Sequence, residues 1–273
     1  MAFRNVAKNV QKVLMVPPTY FSVDYVINPW MGGVVDKEKA MKQWTTLKSA
    51  IELENVEVNV LEHVKNLPDM VFVCNAGLAY KNKVYLTRFK HPERNGEEPY
   101  YLDWFAKNGY EIFGDKFDIV FEGYGDAFFS DEKTLWCGWG QRSDPESVHE
   151  LADLGKGEFE IVPMELITSQ FYHLDTCMSP FSPTGCLYYP GAFSKAGQEE
   201  IKKRLPDSII VDADEANSFV CNALTINNTV LVPVGMKPKT KEALNKFGFK
   251  VKEFDMSEFM KAGGGVHCLV MVV

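Results

Sequence analysis

The chain has 273 residues, 46% hydrophobic and 24% charged, which suits a soluble globular protein with a large core. A formal net charge of −8 argues against nucleic acid, whose phosphates need basic patches, and leaves a small-molecule partner open, because one acidic pocket attracts a cation whatever the total. The stretch from Met1 to Val16 lacks the apolar core and cleavage site of a secretory leader, and no apolar run is long enough to span a bilayer.

The predicted elements alternate strand and helix. Lys12–Val16 is a first strand stopped by Pro17-Pro18, and Asp36–Ile51 a first helix. Val56, Val58 and Val60 then alternate with polar residues, the period of a half-buried strand. Val71–Cys74 and Val84–Thr87 read as strands, Tyr101–Asn108 as a helix, and Phe117–Phe121 and Thr134–Cys137 again as strands. A helix over 144–154 carries a start signal in Ser143 as N-cap, Pro145 in the first turn and Glu146 three residues after the cap. Phe159–Pro163 and Cys186–Tyr189 are strands, Lys195–Leu205 a helix, and Ser208–Val211 and Thr229–Val232 strands. The last helix, Thr240–Phe247, stops at Gly248, a C′ residue, before strands at Lys250–Phe254 and Leu269–Val273. The five helices recur with a loose period that fits repeats or propeller blades, and a doubly wound sheet stays open. Neither GxGxxG nor GxxxxGK[ST] follows any strand, so a nucleotide fold has no positive support. Without a linker or low-complexity segment, residues 1–273 read as one domain.

Six cysteines (Cys74, Cys137, Cys177, Cys186, Cys221 and Cys268) show no CxxC spacing, so free thiols in a reducing cytosol are expected rather than a zinc site or disulfide framework. Cys268 stands apart because it follows Gly263-Gly264-Gly265-Val266-His267, a loop that can approach a ligand closely and present a nucleophile. The other five sit in apolar or strand-like contexts and read as inert. His173 and Asp175 are two apart in an expected extended segment, so both would face one pocket as acid/base and cation holder. His63, His91 and His149 read as surface or satisfied core histidines. Glu122 and Asp126 sit on a glycine-broken turn, and Asn75 ends an apolar run before Ala76-Gly77; both patterns are also ordinary turn chemistry. Arg94 and Arg142 are the arginines chosen as carboxylate clamps.

Taken in order, these segments resemble the guanidino-group-modifying (amidinotransferase, or pentein) superfamily. The residues that carry the resemblance are Val26-Ile27-Asn28-Pro29-Trp30-Met31, Phe72-Val73-Cys74-Asn75-Ala76-Gly77-Leu78, Phe89-Lys90-His91-Pro92-Glu93-Arg94, Phe121-Glu122-Gly123-x-Gly125-Asp126, Tyr172-His173-Leu174-Asp175 and Cys268. The resemblance implies a five-bladed α/β propeller of ββαβ units with its site in the central channel. It further implies Cys268 as nucleophile, His173 as general acid/base and Glu122 as its orienting carboxylate. Asp126 and Asp175 become guanidinium ligands, Arg94 and Arg142 α-carboxylate ligands, and Asn28 and Asn75 further substrate contacts. No metal or cofactor is required, and the partner is arginine or a methylated arginine; assembly into a homo-oligomer stays open.

Deiminases and dimethylarginine hydrolases typically carry aspartate at the position of Asn75. The Asn-Ala-Gly-Leu reading looks like the cyanobacterial-type arginine dihydrolases, without their C-terminal extension, and implies arginine conversion to ornithine, two ammonia and carbon dioxide. Dimethylarginine dimethylaminohydrolase and arginine deiminase are the alternatives. A non-catalytic propeller that binds another protein is the reading from a different class. Tyr124 stands where the FEGxGD pattern often has a smaller residue.

Overall fold

The computed structural model describes residues 10–114 and 118–273. Strand β1 (Lys12–Met15) leads to helix α1 (Lys37–Glu52), whose N-cap Asp36 accepts a 3.0 Å hydrogen bond from the Lys39 N–H. Ala40, Trp44, Leu47 and Ile51 form the buried face of α1 at helical spacing. Strand β2 (Glu57–Val60) returns parallel to β1, the crossover that a parallel pair requires.

A hairpin, a helical crossover and a third strand then recur four times. Strands β3 (Gly77–Tyr80) and β4 (Lys83–Leu86) are followed by helices α2 (Pro92–Asn95) and α3 (Glu98–Lys107) and by β5 (Glu111–Phe113). The next unit is β6 (Ala127–Asp131), β7 (Thr134–Trp139), α4 (Ser147–Gly155) and β8 (Glu160–Glu165). After it come β9 (Met178–Ser182), β10 (Gly185–Tyr188), α5 (Lys195–Arg204) and β11 (Ile209–Ile210). A short α6 (Ala213–Asn217) precedes β12 (Leu224–Ile226), β13 (Thr229–Pro233), α7 (Pro238–Lys246) and β14 (Lys250–Phe254). Helix α8 (Ser257–Met260) leads to β15 (Met271–Val272), which pairs antiparallel with β1, Val272 opposite Val13. The end of the chain therefore supplies the hairpin partner that β1 lacks.

Among the described residues the result is five three-stranded sheets, each with one antiparallel and one parallel pairing, in the ββαβ pattern of a five-bladed α/β propeller. Tyr124 packs against all four apolar clusters, which marks it as a residue at their junction. The large side chain at that position fills the meeting point of the blades.

Several local expectations are corrected. Val71–Cys74 is not a strand: Pro68–Val71 and Val73–Ala76 are two short 3-10 turns, and pairing begins at Gly77. Phe117 lies outside the described residues, and of the expected 117–121 strand only Phe121 pairs, in a single bridge with Arg88. Ser143 does not cap α4. Its hydroxyl donates to Asp126 Oδ2 at 2.7 Å and accepts from the Glu122 N–H at 3.0 Å. His173 is extended, but Leu174–Thr176 is a 3-10 turn, so the two-residue alternation with Asp175 is lost. Cys268 lies in a 3-10 turn, His267–Leu269, and the last strand is only Met271–Val272. Gly248 does follow α7 with φ +87°, as the C′ reading expects.

Candidate active site

Each blade enters its first strand through a tight turn, and the chemistry-bearing residues sit on these turns. Asn75 precedes β3, Glu122 and Asp126 precede β6, His173 and Asp175 precede β9, and Cys268 precedes β15. Fivefold repetition brings these turns together, although the residues are scattered through the chain.

The cleft they form is narrow, with a cavity volume of about 10 Å³. Asn28, Asn75, Arg94, Arg142, His173 and Cys268 line it, six of the nine residues singled out in the sequence. Two glycines of the Glu122–Asp126 segment are there for close approach. A Cβ on Gly125 would stand 2.5 Å from Asn75 Nδ2, and one on Gly123, at φ +67°, 2.8 Å from the Asn75 backbone.

Glu122 is fully buried and anchors His173. Its Oε2 accepts from Arg142 Nη1 and pairs with His173 Nε2, both at 2.9 Å, and its Oε1 accepts from the Lys90 N–H at 3.1 Å. Burial opposes ionisation, but Arg142 first and then His173 outweigh it and hold the Glu122 carboxyl well below the usual range. One imidazole nitrogen is thereby held against a carboxylate, which orients the ring toward the cleft. Arg142 also donates to the Ile27 carbonyl at 3.0 Å and lies over the Tyr172 ring, 4.7 Å from its centre.

Arg94 is tied more fully. It chelates Glu97 through Nε and Nη2, both at 2.8 Å, and donates to Asn75 Oδ1 at 2.9 Å and the Asp69 carbonyl at 3.2 Å. Asn75 is locked between that bond and a 2.7 Å donation to the Glu122 carbonyl. Asn28 donates to the Ala262 carbonyl at 3.1 Å and accepts from the Trp30 N–H at 2.9 Å.

The two remaining acids have protein partners. Asp126 Oδ1 accepts from the Leu174 N–H at 3.0 Å, and its Oδ2 lies 4.0 Å from His173 Nε2. Burial pushes its carboxyl up to about 6, against the pull of His173. Asp175 Oδ2 accepts from the Cys268 thiol at 3.2 Å and lies 3.0 Å from His267 Nδ1, while its buried Oδ1 has no partner. Burial raises the Cys268 thiol, a hydrogen bond from Cys74 opposes that, and Asp175 adds to the rise. Cys74, Asp175 and His267 bring a sulfur, a carboxylate oxygen and a ring nitrogen within 4.8 Å of one another beside Cys268.

Three neighbours escaped the sequence reading. Asp69 lines the cleft with one oxygen on the Tyr25 hydroxyl at 3.0 Å and the other buried without a partner; burial pushes its carboxyl up to about 6 although Arg94 opposes. His267, passed over as part of the glycine loop, stacks on Tyr124 with ring centres 4.5 Å apart. Asn222 donates to Cys268 Sγ at 3.1 Å. Asp69 and Asn222 stand in no recognisable pattern; only His267, beside Cys268, carried a signal.

Several known proteins are similar to this chain in sequence and fold. Residues 32–273 match the family described as N,N dimethylarginine dimethylhydrolase, eukaryotic. An uncharacterized protein of Caenorhabditis elegans is 53% identical over 99% of this chain and 96% of its own. A bifunctional arginine dihydrolase/ornithine cyclodeaminase of Synechocystis is 42% identical over 96% of this chain, which spans only 37% of that protein's length. The N-terminal domain of that type of arginine dihydrolase from cyanobacteria, solved as a cysteine-to-serine variant bound to substrate, superposes with a TM-score of 0.91 at 41% identity, covering 95% of this chain and 97% of that one. No helix among the described residues is long and apolar enough to cross a membrane.

Proposed function

The chain belongs to the N,N-dimethylarginine dimethylhydrolase family, and we propose that it is a cysteine hydrolase of the guanidino group that acts as an arginine dihydrolase. The observation that carries this reading is the convergence of Cys268, His173 and its Glu122 anchor from three blades on a cleft that also holds Asn75. The likeness to the N-terminal domain of a cyanobacterial arginine dihydrolase supports the same choice.

In this reading the substrate α-ammonium sits on Asp69, which lines the cleft and has one buried oxygen without a partner. Its α-carboxylate is held by Arg142, which has three guanidinium N–H groups beyond its two bonds, and by Arg94, which has one. Asn28 closes the same end. The guanidinium is drawn to the unpartnered oxygen of Asp175, with Asp126 adding negative charge behind His173. The cation beside Cys268 favours the thiolate, which attacks the central guanidinium carbon. His173 delivers a proton to the departing ammonia and then takes one from the water that cleaves the S-linked intermediate. Repeating the cycle on the ureido group consumes a second water and leaves ornithine, a second ammonia and carbon dioxide. Asn75 suits that second round: its amide has a donor beyond the one given to Glu122, where a carboxylate would repel the ureido oxygen.

The test is product analysis with L-arginine, citrulline and asymmetric dimethylarginine, with Cys268→Ser as control. Ornithine with two ammonia per arginine supports the dihydrolase. Citrulline alone overturns it in favour of a deiminase. Dimethylamine from dimethylarginine, the second reading that the family match favours, makes the chain a dimethylargininase.

A further inference from the structure

Four of the five blade-entry turns supply residues already placed in the site; the turn before β12 has none. We propose that Asn222, on that fifth turn, is a catalytic residue that holds the Cys268 sulfur and stabilises it as the thiolate. The inference deepens the cysteine-hydrolase reading and rests on Cys268 being the nucleophile.

Asn222 is wholly buried and its amide is fixed on every side. Nδ2 donates to Cys268 Sγ at 3.1 Å and to the Asp175 carbonyl at 3.2 Å, while Oδ1 accepts from the Cys268 N–H at 3.3 Å. Two acceptors lie on the nitrogen side and one donor on the oxygen side, so the amide has a single satisfied orientation. The His267 N–H donates to the Asn222 carbonyl at 3.2 Å, which ties the two turns together. The third glycine of the loop belongs to this arrangement, because a Cβ on Gly265 would meet Asn222 Oδ1 at 2.8 Å.

The chemistry needs a donor at this position. As a thiol, Cys268 gives its proton to Asp175 Oδ2 at 3.2 Å. Once that proton leaves, sulfur and carboxylate repel each other, and a thiolate in a buried site needs N–H donors in place of water. Asn222 supplies one without reorganisation, the condition under which a fixed donor contributes most to developing charge. His173 is engaged with Glu122 by its Nε2, so the histidine and the asparagine divide the work: one moves protons, the other keeps the sulfur in place.

The decisive measurement is the pH dependence of Cys268 alkylation by iodoacetamide, with the modified residue confirmed by mass, in wild type, Asn222→Ala and Asn222→Asp. The expected result is an alkylation pKa raised by one unit or more in folded Asn222→Ala, and further in Asn222→Asp, which puts an acceptor where the donor was. On arginine, kcat should fall by about 10²–10³-fold with KM changed only a few-fold. An unchanged alkylation profile in folded Asn222→Ala overturns the proposal, even if thermal stability falls, because that pattern is merely structural. Should Asn222→Asp fail to fold, Asn222→Ala decides alone. Alkylation does not involve the substrate, so a shifted profile in a protein inert toward arginine would sink the dihydrolase reading and keep this one.

Discussion

Replacing Arg142 by Met tests the buried charge network most directly. Glu122 is fully buried, and its carboxylate has two charged or chargeable partners, Arg142 and His173, each at 2.9 Å. Removing the guanidinium leaves a buried carboxylate short of its main counter-charge, a change that costs about 3–5 kcal/mol. At about 2–4 °C per kcal/mol, Tm should fall by roughly 6–20 °C. The pH dependence follows from the direction of the shift. In the wild type the Glu122 carboxyl is held low, so its contribution is present above the ordinary carboxylate value, about 4.3, and is lost only as pH falls through the depressed folded value. In the variant, burial dominates and the carboxyl rises above its ordinary value. The penalty is then full above that raised value and shrinks as acid protonates Glu122. Urea unfolding of wild type, Arg142→Met, Glu122→Gln and the double variant between pH 8 and pH 5 reads this out. The double variant should lose less than the sum of the two singles by about 1–3 kcal/mol. A stability gap below about 1 kcal/mol, or one that does not narrow with acid, refutes the reasoning. The readout is stability, so it is independent of any part Arg142 plays in binding substrate.

Asn75→Asp should shift the product from ornithine toward citrulline. It should also cost about 1–3 kcal/mol, because it sets an acceptor against the Glu122 carbonyl that Nδ2 now meets at 2.7 Å; unchanged ornithine yield contradicts the role given to the amide. Gly264→Ala would place a Cβ 2.2 Å from the Phe72 ring, so a loss of about 1–3 kcal/mol in thermal or urea unfolding and impaired turnover are expected, and wild-type values for both would show the loop to be slack. For Asp69, whose carboxyl burial lifts to about 6, KM for arginine should climb as pH falls below about 6 while the acid loses its charge. The climb should vanish in Asp69→Asn, and an identical bend in that variant would remove Asp69 from substrate binding.

The helices were legible in the sequence because their signals are local. Lys195–Leu205 and Thr240–Phe247 carry their periodicity, and in the second case the Gly248 stop, within a dozen residues, and the structure places α5 and α7 there within one or two positions. Cys268, His173 and Glu122 were legible for a different reason: each sits in a short segment that matches a family pattern in order. Local signals also misled. The apolar run Val71–Cys74 has strand composition, but the chain coils there into turns that carry Asn75 onto the cleft. Ser143 has the look of a helix cap, yet its hydroxyl bridges the Glu122 N–H and Asp126, a use created by blade packing.

Only the tertiary structure could show that Asn222 meets a sulfur 46 residues away, or that His267 and Cys268 converge on Asp175 from 92 and 93 residues away. Nor does any segment by itself reveal that β15 completes the sheet of β1. Propensity, capping and periodicity act over a few residues and determine which elements form. Which polar groups share one buried cleft depends on how the five blades close around their axis, and burial there decides which carboxylates are held low, which are pushed up and which donors reach Cys268.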